Sequence, residues 1–416
     1  MAATSVQTKC GSLREQHIEH SDPSQHVVRV AWMSCVESGD DSRAIALQKA
    51  ALDCGFDVSF ICTSAGNLAG VNYRVVGPIT SFFWHNIGLV GSIKALLGRL
   101  RKTRKVFSTL WQLKPDIVIT QEPDSWLLGV IYKALHKARL VNDLQEIYED
   151  RCLAFPRVIQ GVIRSSIRNL MKLCAEQSDA IIHVSDARCA LYSDFASPAV
   201  TVSLYPPAEL SDTWSRSTGP PRGETGWGDR FVMVHAGALR PSYAGNELIQ
   251  ALLKLESLGN LDFLLVVLGG VHGALERAPL DGLIERGRIE VHEQVPHSQV
   301  YRFIAASDVG LNIVLPLDLG HIYAQPRKLY EYMALGVPVI GSDVPTIADV
   351  VRMCDCGWMV NAADPDSIVS AIIAAANNLD TARQKGENGR SGFQRKFNWE
   401  AESRAFQNLL RQLSVQ

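Results

Sequence analysis

The apolar positions of this chain fall into two series of the same kind. In the first, HVVRVAWM reads as a strand over His26–Met33 and a polar loop, SCVESGDDS, follows. An amphipathic helix then runs from Arg43 to Asp53, stopped by Gly55, and Asp57–Cys62 reads as the next strand. Strand, loop, helix, strand is a βαβ unit and predicts a parallel sheet. The series continues with KPDIVIT (Lys114–Thr120), Leu140–Asn142, a helical period over Val158–Ser178, DAIIHVS (Asp179–Ser185) and Val200–Leu204. His183, inside DAIIHVS, reads as a satisfied core histidine. The second series has strands at Phe231–His235, Asp262–Leu268 and Arg288–His292, with a helix over Asn246–Leu258. A further strand begins at Ser307-Asp308-Val309-Gly310, and another strand and helix follow at Gly357–Val360 and Asp364–Asn377. Between the two series lies YPPAELSDTWSRSTGPPRGETGWGD, rich in Pro, Gly, Ser and Thr, which reads as a linker.

The stretch YAQPRKLYEYMALGVPVIGSD, from Tyr323 to Asp343, gives loop, short helix, tight turn and strand. Pro326 suits the first helical turn. Leu329, Tyr332 and Met333 share one face, Gly336 can close the helix in the left-handed conformation, and Pro338 forbids its continuation. Lys328 and Glu331 stand near the helix start, where unpaired N–H groups and the helix dipole favour an anion. A cation for phosphate and a carboxylate for ribose hydroxyls would suit a nucleotide diphosphate; a surface ion pair at i, i+3 is the other reading. In the first series, Gly39 leaves room for backbone N–H groups to approach a phosphate or a sugar, although an ordinary turn explains one glycine as well.

The Tyr323–Asp343 block resembles the donor-binding segment of retaining GT-B glycosyltransferases of family 4. Their pattern is a Glu, seven residues, a second Glu, then Ala-x-Gly-x-Pro-Val-Ile. Glu331 and EYMALGVPVIGSD match it, Tyr323 stands in place of the first Glu, and YAQPRKLYEY fits a branch that reads Tyr-Ala-x-Pro-x-Lys-Leu-x-Glu-Tyr. In the family, the first Glu touches the hydroxyls of the donor sugar. Asp143-Leu144-Gln145-Glu146 resembles the branch's Asp-x-His-Glu element, with Gln145 in place of His. The resemblance implies Asp143, Gln145 and Glu146 on the acceptor side, and Gly39, Arg240, Arg327, Lys328 and Glu331 on the donor side. Relatives carry an Arg and a Lys in the loop held here by HAGALRPSYAG. Arg240 is its only cation, so Lys328 or Arg327 would complete the diphosphate clamp. The family's leaving phosphate is thought to take the acceptor proton itself, which fits Gln145, a side chain that takes no proton near neutral pH.

The implied fold is α/β, GT-B: two Rossmann-like domains facing a cleft, with a C-terminal helix crossing back to the N-terminal domain. Residues 1–26 read as a disordered lead, 27–205 as the acceptor-side domain and 206–229 as the linker. Residues 230–396 read as the nucleotide-sugar domain and 397–416 as the crossover helix. At about 150 residues per domain, a chain of 416 residues accommodates this. The implied activity is retaining, metal-independent hexosyl transfer from a nucleotide-diphosphate sugar, the co-substrate, with no cofactor. The acceptor would be a glycan, a lipid-linked or a small molecule, in polysaccharide or glycoconjugate biosynthesis. A GT-B sugar-nucleotide 2-epimerase, or an inactive nucleotide-binding partner subunit, are the rival readings.

Composition narrows the setting. A formal charge of −2 argues against nucleic acid as the main partner. No apolar run spans a membrane and the N-terminus lacks a signal core. Nine scattered cysteines suit a reducing cytosol. Within Ser81–Leu113, Ile93, Leu96, Leu97 and Leu100 form a stripe among Lys94, Arg99, Arg101, Lys102, Arg104 and Lys105, after Phe82-Phe83-Trp84. That pattern suits an anionic membrane surface, which would make the protein cytoplasmic and peripheral on the inner face; a core-facing helix with a solvated basic face is the alternative.

Overall fold

The structure is a computed structural model and describes residues 27–34, 41–76, 93–121, 123–154, 156–213, 222–293 and 295–415. The chain divides into two compact units, Met1–Leu204 with Ser403–Gln416, and Tyr205–Glu402.

The first unit is built on β1 (Arg29–Met33), β2 (Asp57–Cys62), β3 (Val71–Val75), β4 (Ile117–Thr120), β5 (Arg139–Leu144), β6 (Ala180–His183) and β7 (Ala199–Thr201). All pair in parallel, in the order β3-β2-β1-β4-β5-β6-β7. β4 and β6 are buried throughout, as strands covered on both faces must be. β3 is an edge strand, mostly exposed, and its sequence VNYRV carries no continuous apolar run to announce it. β5 extends two residues beyond the expected Asn142, which brings Asp143 into the sheet. The basic helix occupies Ile93–Leu113 and buries Val106 and Leu110; Phe82, Phe83 and Trp84 lie outside the described residues. Among the described residues, no helix is long and apolar enough to cross a membrane.

The second unit is built on β8 (Phe231–Ala236), β9 (Phe263–Leu268), β10 (Ile289–His292), β11 (Val309–Asn312), β12 (Val339–Ser342) and β13 (Gly357–Val360). The order is β10-β9-β8-β11-β12-β13, again parallel throughout. Strand side chains alternate between faces. Accordingly Val232 and Val234 join one apolar cluster, and Met233 joins the other. Both series are thus open, doubly wound sheets, and the α/β expectation holds. In each, the order reverses at one place: between β1 and β4, and between β8 and β11.

The expected linker is not free chain where it is described. Leu210 and Trp227 lie in the core of the second unit, and the Arg390 guanidinium donates to the Ser211 carbonyl at 2.8 Å. Its Pro and Gly content marked turns, while two buried side chains fix it to the unit. The last helix, Trp399–Val415, returns to the first unit, as expected of a crossover helix. Phe406 is fully buried, with its ring centroid 5.7 Å from that of Trp32, and Gln407 Nε2 donates to the Ala50 carbonyl at 3.1 Å.

Candidate functional site

The helix Arg327–Ala334 is positioned by its buried face. Leu329, Tyr332 and Met333 are fully buried, as their spacing predicts. Tyr332 reaches the place where the strand order reverses. Its hydroxyl accepts from Ala236 N–H at 2.9 Å, on β8, and lies 3.3 Å from the Leu311 carbonyl, on β11. Gly310 makes this possible, because a Cβ there would strike the Tyr332 ring. Gly336, with φ +70°, closes the helix as expected. Open α/β sheets bind ligands outside the carboxyl ends of their strands at such a reversal. The first turn of this helix is therefore held at the edge where a ligand belongs.

A cavity of about 440 Å³ lies there. Leu268, Val295 and Val300 supply apolar wall; Lys328, Arg327 and Glu331 enter from the helix; Asn312, Gln325 and Thr346 supply uncharged polar groups. Lys328 Nζ stands 4.7 Å from the centre of the Tyr243 ring. Burial pulls its pKa down to about 8, against the opposing pull of Glu331. Behind it His235 is buried, and burial first, then the Lys328 charge, hold its pKa well below the usual histidine value. Glu331 is 5% exposed and pairs with Arg327, at 3.7 Å and i, i+4, where the spacing had offered Lys328 at i, i+3.

The donor-side candidates thus separate. Lys328, Arg327 and Glu331 share the cavity. Arg240 does not line it. Its extended backbone caps the turn Pro241–Tyr243, its carbonyl accepts from the Tyr243 and Gly245 N–H groups, and its side chain is exposed. Tyr243, at the other end of that turn, forms the cavity wall instead. Gly39 lies outside the described residues.

On the first unit, Asp143 is wholly buried at the end of β5. The Arg43 guanidinium grips it at 2.7 and 3.1 Å, and Gln145 Nε2 donates to it at 3.0 Å. Arg43 in turn donates to the Val202 carbonyl at 2.7 Å, and Arg188 donates to the Gln145 carbonyl. Asp143 therefore orders the end of the sheet and orients Gln145. Glu146 is exposed. His183 is in the core as expected, stacked on Tyr192, but its Nδ1 has no hydrogen-bond partner among the described residues. Burial brings its pKa down to about 4. Among the described residues, no group of three His, Cys, Asp or Glu side chains is placed to hold a metal ion.

Sequence reasoning missed Tyr243, Asn312, Gln325, Thr346 and His321 in the cavity. Asn312 ends a strand and Thr346 opens a helix, so both sit where strand carboxyl ends meet helix starts. Polar residues are common at such ends, so type and spacing alone did not single them out.

Residues 222–392 match the family model described as Glycosyl transferases group 1. Among curated proteins, none matches the chain. Solved structures share the fold at low identity. Sucrose-phosphate synthase from Thermosynechococcus elongatus is 18% identical at a TM-score of 0.63, covering 93% of this chain and 99% of that one. An α,α-trehalose-phosphate synthase (UDP-forming) from Burkholderia vietnamiensis is 14% identical at 0.69, covering 94% and 99%. HepE from Anabaena, in complex with UDP and glucose, is 14% identical at 0.64, covering 94% and 100%. The solved structures show a GT-B fold, and the family match lies within the second unit.

Proposed function

We propose that the protein is a retaining, metal-independent glycosyltransferase of family 4. It would move a hexosyl group from a nucleotide-diphosphate sugar to a glycan, lipid-linked or small-molecule acceptor in polysaccharide or glycoconjugate synthesis. The observation that carries this reading is one turn of helix that places Lys328 and Glu331 in a single cavity at the reversal of the second sheet. Lys328 neutralises the diphosphate, Glu331 accepts from ribose hydroxyls, and the wall of Leu268, Val295 and Val300 takes the base. As the sugar leaves, charge grows on the departing phosphate, and a fixed cation in a half-buried site stabilises it more than water does. Arg327 is the second cation within reach of the cavity. On the acceptor side, Asp143 acts as a positioning residue, and Gln145 and the exposed Glu146 are the groups left to meet the acceptor. The basic helix Ile93–Leu113 supports a cytoplasmic protein that docks on an anionic inner membrane face.

Thermal shift with UDP, GDP and ADP identifies the nucleotide, and release of that nucleotide from its sugar ester in the presence of acceptors, with and without EDTA, tests turnover. Stabilisation plus EDTA-resistant turnover is expected. Stabilisation without turnover against a broad acceptor panel would leave a nucleotide-binding partner subunit. No stabilisation by any of the three would sink the reading.

A further inference from the structure

We infer that Asn312, Gln325 and Thr346 form a subsite for an acylamino group on the transferred sugar, so that the donor carries a 2-acetamido or similar amide-bearing sugar. This rests on the reading of the cavity as a nucleotide-sugar site.

The strand order gives the cavity two unlike ends. β9 and β10 lie on one side of β8, and β11 and β12 on the other. The first side contributes Leu268, Val295 and Val300, which are apolar. The second contributes Asn312, Val314, Thr346 and Ile347. Gln325 joins from the loop before the Arg327–Ala334 helix. The charged pair, Lys328 and Glu331, comes from the helix itself. A ligand that places its base on the apolar side and its diphosphate by Lys328 has its remaining part to lodge on the second side.

The second side is polar but uncharged, and it is unsatisfied. Asn312 and Thr346 are 2% and 6% exposed. Asn312 Nδ2, Gln325 Nε2 and Thr346 Oγ1 are buried atoms with no hydrogen-bond partner among the described residues. Buried polar atoms are nearly always paired, so three orphans on one wall point to a missing partner. His321, which also lines the cavity, is held by Asp318, whose carboxylate accepts from His321 N–H at 2.8 Å and stands 2.7 Å from His321 Nδ1.

An acylamino group matches this wall. Its carbonyl has two lone pairs and accepts from both amides, and its N–H donates to Thr346 Oγ1. Val314 and Ile347 offer apolar surface to the acyl methyl. A single hydroxyl, with one O–H and two lone pairs, matches the polar atoms but leaves the apolar surface of Val314 and Ile347 uncovered, which the acyl methyl fills. Among the described residues, that side supplies no lysine or arginine to a buried carboxylate, since Lys328 and Arg327 stand on the helix beside the diphosphate.

The test uses the full chain and whichever of UDP, GDP or ADP stabilises it. Calorimetry compares the free nucleotide with its glucose and N-acetylglucosamine esters, and for UDP with the glucuronate ester. The N-acetylglucosamine ester is expected to bind about tenfold or more tightly than the glucose ester, the effect of one or two desolvated hydrogen bonds. Thr346→Val and Gln325→Met should each shrink that preference several-fold, with each variant's affinity for the free nucleotide as the reference for folding. If the nucleotide binds but the glucose or glucuronate ester equals or exceeds the acetamido ester, the subsite is wrong and the donor-site reading stands. The subsite also fails if the preference persists unchanged in both variants. If none of the three nucleotides binds, both readings fall together.

Discussion

At the scale of single residues, Lys328 is the side chain on which the proposed donor site turns. Its place at a helix start was legible from Pro326 and the apolar spacing behind it. Its partner was not: the i, i+3 carboxylate pairs with Arg327, and Lys328 faces Tyr243 instead. Arg240 read as the phosphate cation because it was the only one in its loop, yet which end of a short turn faces a cavity depends on backbone angles that composition does not reveal. Lys328→Ala is therefore expected to slow transfer by about 10²-fold or more, and Arg240→Ala by much less. Steady-state kcat for both variants decides it, and the reverse ranking would return the clamp to Arg240. The Lys328 pKa of about 8 adds a pH signature. Below pH 8 the ammonium is already charged; above it, binding a diphosphate must draw in a proton. Affinity should fall by up to about tenfold per pH unit above 8, with an uptake approaching one proton at pH 9 and near zero at pH 6.5. Calorimetry in two buffers of different ionisation heat measures that uptake, and no uptake at pH 9 would show that Lys328 is not at the phosphate. For Glu331, removal of a charged acceptor should weaken the nucleotide by about 1.5–3 kcal/mol in Glu331→Gln. Unchanged affinity in a folded variant would take the ribose away from it.

At the scale of elements, the two residues by which β5 runs past Asn142 change the meaning of Asp143. The resemblance made it a candidate for the acceptor; inside the strand, it is the counter-ion of buried Arg43. The signal that could have shown this was Arg43 itself, placed on the inward face of an amphipathic helix. Asp143→Asn leaves that guanidinium buried without its charge partner and should cost about 3–5 kcal/mol of stability. Denaturant unfolding is the measure, and a variant that keeps its stability but loses activity would restore Asp143 to the reaction. β6 carries a second stability term. The His183 pKa is depressed to about 4 against an ordinary 6.5, so the unfolded chain binds the extra proton between those values. The stability that a neutral His183 supplies is thus complete above pH 6.5 and lost as pH falls towards 4, by up to about 3 kcal/mol. His183→Gln should flatten that part of the stability curve.

At the scale of the molecule, the two βαβ series were plain in the sequence, because strands covered on both faces must be apolar throughout and their pattern survives without any contact information. The edge strand β3 and the helices Pro123–His136 and Leu379–Arg395 were not read, the first because an edge strand need not be apolar. Of the cavity, the helix and the HAGALRPSYAG loop that supplies Gly237 and Tyr243 were legible, while Asn312, Gln325 and Thr346 come from segments with no signal of their own. One feature of the chain's path reaches beyond the finished structure. The first unit is interrupted: it stops at Leu204 and resumes at Ser403, with the whole second unit between. Trp32 finds its neighbour Phe406 only across that gap. During synthesis, every residue of the second unit emerges before the last segment of the first. The half that begins the chain is then the half completed last, and until that segment emerges Trp32 stands without Phe406 on the growing chain, a natural place for a chaperone to act.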